Sequence, residues 1–194
     1  MESFLSNSDF KYLESLSEAL SYASVGENVE CIEKIIHTFI SKYEKEEIPE
    51  ITYMKAINLN LFEKNLSEVD IEKKYNQLID LSAKQGCKEA LYIKACRLYE
   101  CEEFSEAIEL YKKSMHKGYP PAMWCYGLDR FWGIENVLAK DAAEGLKYIK
   151  LSAGLLYEYA LEFLLDAYEN GKETIEKDAE KADYYRALLA TIDE

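Results

Sequence analysis

The strongest constraint on this chain is that it repeats itself. Ser82-Ala83-Lys84-Gln85-Gly86 returns 32 residues later as Ser114-Met115-His116-Lys117-Gly118, and Ser152-Ala153 follows after another 38. Ala90, Ala122 and Ala160 keep the same two intervals of 32 and 38. Gly133 and Gly171 are 38 apart, and Lys140-Asp141-Ala142 is echoed by Lys177-Asp178-Ala179 at 37. A period in this range marks a unit that cannot bury its apolar face alone and does so by stacking on copies of itself. The clearest copy runs from Ala122 to Gly133 and continues through Lys140 to Ala153.

Each unit reads as a helical hairpin. Apolar residues recur at i, i+3, i+4 and i+7 through most of the 194 residues, and only 8 glycines and 3 prolines interrupt them, which excludes a fold of short strands and tight turns. Ser8-Asp9 caps a first helix with Phe10, Leu13, Leu16, Leu20 and Ala23 on one face, stopped at Gly26. Val29, Ile32, Ile35, Ile36, Phe39 and Ile40 line a second. Pro49 opens a third, Ile51 to Leu61, and a fourth runs from Val69 to Ala83 and stops at Gly86. The rest are Ala90–Glu100, Phe104–Met115, 122–132, 140–153, Tyr159–Asn170 and Lys177–Ile192. The expectation is an all-α fold of about ten helices in five antiparallel pairs, forming a single domain over 1–194. Within it 1–48 is a divergent N-terminal hairpin and 49–194 carries the repeats. Ala107, Gly145 and Ala182 let the paired helices approach closely, while Leu110, Tyr148 and Tyr185 fill the space beside them.

Three stretches carry a family likeness: Gln85-Gly86-Cys87-Lys88-Glu89-Ala90, Arg97-Leu98-Tyr99-Glu100, and Lys177-Asp178-Ala179-Glu180-Lys181-Ala182-Asp183-Tyr184-Tyr185. They resemble Sel-one-like repeats, relatives of the tetratricopeptide repeats. The resemblance covers 71–194, weakens over 49–70 and is architectural for 1–48. It implies a right-handed α/α superhelical solenoid whose role is to hold other proteins together. This chain departs from the family pattern at Arg130, where a tyrosine is usual. Leu165, and either Ala95 or Cys96, stand in place of the glycine that Gly127 supplies. The stretch Gly133–Lys140 lacks the second glycine of the family loop.

The net charge of −14 falls at the two ends, with −7 over residues 1–50, zero over 51–118 and −7 over 119–194. That distribution argues against a nucleic-acid partner, which needs clustered cations, and permits a basic protein one. The chain starts without a basic n-region and has no run of ~20 apolar residues. A soluble, cytoplasmic protein with no membrane partner is expected. Five cysteines in irregular positions make a poor disulfide framework. His37 and His116 lie on separate hairpins, and there is no HExxH, paired CxxC, calcium loop, phosphate loop or nucleophile elbow. No catalytic residue, cofactor or metal site is expected.

Two surface features remain. The resemblance places Trp124, Leu128 and Phe131 on the concave side of the solenoid, and their i, i+4, i+7 spacing puts them on one helix face. They are either an aromatic anchor for a partner or core between helices. Glu158, Glu162, Asp166, Glu169 and Glu173 recur at intervals of 4, 4, 3 and 4, an acidic stripe whose mutual repulsion folding does not require. The stripe is either a solvated face or a wall for a Lys- or Arg-rich partner. The expected function is a non-catalytic module that binds a protein or peptide on a concave, partly acidic face. The alternative is an immunity- or antitoxin-type protein masking a basic effector, and an enzyme with an unrecognised site is a third reading. A monomer is favoured over a homodimer joined through an uncapped end.

Overall fold

The computed structural model describes residues 7–22 and 27–192. Within them lie eleven α-helices and one short 3-10 turn, with no strand beyond the isolated bridges Ile134–Leu138 and Lys172–Ile175. The helices are α1 (Asn7–Tyr22), α2 (Glu27–Tyr43), α3 (Pro49–Ile57), α4 (Leu59–Phe62), α5 (Glu68–Gln85), α6 (Lys88–Glu100), α7 (Phe104–His116), α8 (Pro120–Trp132), α9 (Ala142–Gly154), α10 (Glu158–Asn170) and α11 (Ala179–Ala190). The all-α repeat architecture expected from the sequence is therefore present. The stop assigned to Gly26, and Ala23 before it, lie outside the described residues. The chain divides into two compact units, Met1–Leu91 and Tyr92–Glu194, with the division inside α6.

In the first unit, Phe10 and Leu13 of α1, Ile36 and Ile40 of α2, and Ile48, Ile51 and Met54 around α3 form the core. The single third helix expected over Ile51–Leu61 is two helices, broken at Asn58. Asn58 leaves helical geometry (φ −111°, ψ 25°), and its buried Nδ2 donates to Ser17 Oγ on α1 and to the Met54 carbonyl, both at 2.9 Å. An amide side chain competing for backbone and cross-helix acceptors is a known way to end a helix, and hydrophobic periodicity does not register it. α4 then covers one further turn.

The repeated serines have a structural task. Ser82, Ser114 and Ser152 are all fully buried. In the first unit Ser82 Oγ donates to the Pro49 carbonyl at 2.7 Å, and in the second Ser152 Oγ donates to the Pro120 carbonyl at 2.8 Å. In both cases the acceptor is the first residue of a helix opened by proline, so each serine ties the end of one helix to the start of another. The same serines close the turns that follow them: Cys87, Tyr119 and Tyr157 N–H groups donate to the Ser82, Ser114 and Ser152 carbonyls. The chain must turn left-handed to do this. Gly86 (φ 99°) and Gly118 (φ 82°) manage it without strain.

In the second unit, one core is built on Ala95, Ala107, Ile108, Tyr111, Met115, Ala122 and Tyr126. Another is built on Phe131, Ile149, Leu161, Leu164, Ala167 and Tyr168. Ala95 is fully buried and Cys96 only partly, which settles Ala95 as the counterpart of Gly127.

Candidate interaction surface

The α8–α9 pair supports the surface and crosses on glycine. A methyl group on Gly145 would lie 2.4 Å from the Phe131 nitrogen and 2.6 Å from the Gly127 carbonyl oxygen, and one on Gly127 would lie 2.9 Å from Ile149 Cγ1. Nothing larger than hydrogen fits at Gly145 without moving backbone. α9 begins at Asp141, whose side chain accepts from the Glu144 N–H at 2.9 Å, and α11 begins at Asp178, which accepts from the Lys181 N–H at 3.1 Å. Both are N-caps, set later than the sequence pattern placed the two helix starts at Lys140 and Lys177. Gly133 (φ 79°) and Gly171 (φ 75°) turn the chain before them.

Close approach of α8 to α9 decides where the Trp124–Leu128–Phe131 stripe points. Phe131 is fully buried, so the expectation that it contacts a partner is corrected: it is a core residue. Its ring meets Phe163 edge-on at 5.6 Å, and Trp124 meets the same ring at 5.6 Å. Trp124 and Leu128 pack against this core and stay partly exposed. The exposed tryptophan of α8 is Trp132, edge-on to Phe131 at 4.8 Å, with Lys140 Nζ 5.9 Å from its ring. Trp132 stands one turn on from Leu128, beside the same stripe, so helical spacing alone does not mark it as exposed.

All five acidic side chains of the stripe are exposed, and they divide by pairing. Asp166 accepts from Lys172 Nζ and Asn170 Nδ2, both at 2.8 Å, and these hydrogen bonds hold its carboxyl below the ordinary aspartate range. Glu169 pairs with Arg186, and Glu173 with Lys140 at 2.9 Å. Glu158 and Glu162 make no ion pair among the described residues. Arg130, the departure from the family tyrosine, donates to Glu144 at 2.5 Å, to the Ala139 carbonyl at 2.5 Å and to Asp141 at 3.2 Å. At the corresponding place in the last repeat Tyr168 stacks on Tyr185, with centroids 5.8 Å apart and planes 5° apart.

Burial shifts several ionisable groups elsewhere in the molecule. Burial pushes the Cys125 thiol up to about 12, so it stays protonated at neutral pH. Cys87 is also pushed up to about 12, by burial and then by Glu89, whose buried carboxylate accepts from its Sγ at 3.0 Å. Glu14 is raised to about 7 by burial and then by the charge of Glu89. Among the described residues no three or more His, Cys, Asp or Glu side chains gather as a metal site. No helix there is long and apolar enough to cross a membrane.

No family model and no curated protein sequence matches the chain. Solved structures do. A Sel1 repeat protein from Oxalobacter formigenes superposes with a TM-score of 0.66 at 15% identity, over 95% of this chain and 79% of that one. A protective antigen of uropathogenic Escherichia coli with an SLR (Sel1-like repeat) fold gives 0.61 at 16% identity, over 95% of this chain and 39% of that one. Two immunity proteins from Pseudomonas aeruginosa each give 0.55, at 12% and 16% identity, over 95% and 98% of this chain and 81% and 84% of theirs. The glycine crossing, the buried serine ties and the capped helix pairs of this chain are thus arranged in the fold of the Sel1-like repeat proteins.

Proposed function

We propose that this protein is a non-catalytic, cytoplasmic interaction module that binds a basic protein or peptide. Its contacts come from the acidic stripe of α10, Glu158, Glu162, Asp166 and Glu169, together with the exposed parts of Trp124 and Leu128. The observation that carries the reading is the stripe itself. It lies in solvent along α10, with Glu158 and Glu162 making no ion pair among the described residues, in a repeat fold whose similar structures include immunity proteins. A basic partner meets complementary potential there, which speeds encounter and makes binding sensitive to salt. Affinity purification from the native host, followed by binding assays with Glu162→Lys and Trp124→Ala, tests it. Glu162→Lys weakens the captured partner, and unchanged binding by both folded variants overturns the assignment.

A second reading is favoured by one observation: two of the similar structures are immunity proteins. The basic partner is then an effector that this chain masks. Co-expression with a candidate toxin encoded beside it tests this, and failure to rescue growth counts against it.

A further inference from the structure

An exposed apolar patch sits where α9 turns into α10. Leu151 is 47% exposed, Leu155 52%, Leu156 50% and Tyr159 58%. Leu151 and Leu155 are one helical turn apart, and Leu156 and Tyr159 continue across the turn, with the Tyr159 ring 5.5 Å from that of Tyr157. Folding does not ask for this surface. Leu156 occupies the left-handed turn position filled by Gly86 and Gly118 in the earlier repeats, at φ 60°. Of the five non-glycine residues with positive φ among the described residues, Leu156 is the only apolar one. A leucine there adds backbone strain while half of its surface stays in solvent, so local stability favours glycine.

The rim of the patch has a definite charge. Glu158 and Glu162 follow it directly and are the two stripe carboxylates without an ion pair among the described residues, whereas Asp166, Glu169 and Glu173 are occupied by Lys172, Arg186 and Lys140. The cations of the preceding turn, Lys147 and Lys150, lie over the Tyr148 and Tyr168 rings at 5.7 and 5.9 Å. A second copy of this chain is a poor occupant, because each copy carries a net charge of −14.

We infer that the Leu151–Leu155–Leu156–Tyr159 patch is an anchor site for an amphipathic, cationic protein segment. The segment's apolar side chains seat on the leucines and Tyr159, and its Lys or Arg side chains pair with Glu158 and Glu162. This rests on the reading of the acidic stripe as a partner surface and adds to it the apolar half of the recognition. Apolar contact supplies the affinity and charge the steering, the usual division for an amphipathic helix on a groove or face.

The test uses three synthetic peptides on the full chain, measured by fluorescence anisotropy. One is a leucine–lysine helix with its leucines on one face, the second a permutation that scatters them, and the third the one-faced helix with glutamate for lysine. The one-faced leucine–lysine peptide binds at least about tenfold more tightly than its permutation, the scale of one well-buried leucine contact. The glutamate peptide does not bind. Leu155→Ser combined with Leu156→Gly removes the discrimination between the first two, while circular dichroism melting shows the fold retained. Glu158→Gln with Glu162→Gln weakens both cationic peptides and flattens their salt dependence. The inference is overturned if the leucine variant still discriminates, or if wild type binds both cationic peptides equally. It is also overturned if sedimentation shows a dimer that the leucine variant dissociates. If Glu162→Lys abolishes binding and the leucine variant does not alter it, the acidic surface stands and the anchor falls; if neither matters, both fall.

Discussion

The α8–α9 pair crosses on Gly127 and Gly145, and the α10–α11 pair has Leu165 and Ala182 at the same two repeat positions. Both pairs begin their second helix at a capping aspartate and both turn before it at a positive-φ glycine. What differs is how each fills the space at the crossing. The central pair brings backbones into contact and holds the open end with Arg130 on Glu144 and Asp141. It also carries Asp129 in its interior, where the last pair has the fully buried Ala167. The last pair has larger side chains at those positions, the partly buried Leu165 and the buried Ala182, and closes with the stacked rings of Tyr168 and Tyr185. Two copies of one plan thus carry different side-chain volumes at equivalent positions, and the close approach of backbones belongs to the copy with glycine at both.

The comparison breaks most sharply at Gly145. Gly145→Ala should cost about 3 kcal/mol, the upper end of overpacking penalties, because the new methyl meets backbone that cannot step aside. The reverse change in the other pair, Ala182→Gly, should cost only about 1 kcal/mol, from helix propensity and a small lost contact. Paired urea titrations check this, and equal losses would refute the difference between the crossings.

Asp129 gives the next largest effect. Its Oδ1 accepts from the Tyr99 hydroxyl at 3.2 Å, and its buried Oδ2 has no partner among the described residues. Burial pushes its carboxyl from 3.8 up to about 6. The folded state therefore binds a proton more tightly than the unfolded one, so stability falls as pH rises from about 4 to about 6 and is level above. Asp129→Asn should stabilise the protein at pH 7 by up to about 3 kcal/mol, the free-energy equivalent of that displacement. The gain should fade as pH is lowered towards 4. Thermal melts at pH 4.5 and 7 on both proteins measure it, and a gain independent of pH would remove Asp129 as the cause.

The smallest effect concerns the turn after α9. Leu156→Gly relieves a left-handed leucine and adds freedom to the unfolded chain, for a net gain of roughly 0.5–1 kcal/mol. Stabilisation together with loss of peptide discrimination is the combination that separates a binding role for Leu156 from a structural one.

Much of this was legible in the chain. The intervals of 32 and 38 located the hairpins, and Pro49 and Gly86 marked helix ends where the structure has them. The break at Asn58 was not legible, since it depends on Ser17, which lies 41 residues away in sequence. The exposure of the acidic stripe along α10 was legible at Glu158, Glu162, Asp166 and Glu169, whereas Glu173 falls beyond the helix end at Asn170. The stripe's division into paired and unpaired members was not legible, since Arg186 and Lys140 reach Glu169 and Glu173 from other elements.

The sequence by itself determined the repeat, its helical class and the residues that begin and end most helices, because capping, turning and periodic burial act within a few residues of the chain. Tertiary structure alone decided that Phe131 is core while Trp132 is surface, and that Leu156 stands exposed in a glycine's conformation. The physical reason is that spacing assigns a side chain to a helix face, whereas the distance of the neighbouring helix decides whether that face meets protein or water. At α8 that distance is set by two glycines 18 residues apart, which meet only once the pair has closed.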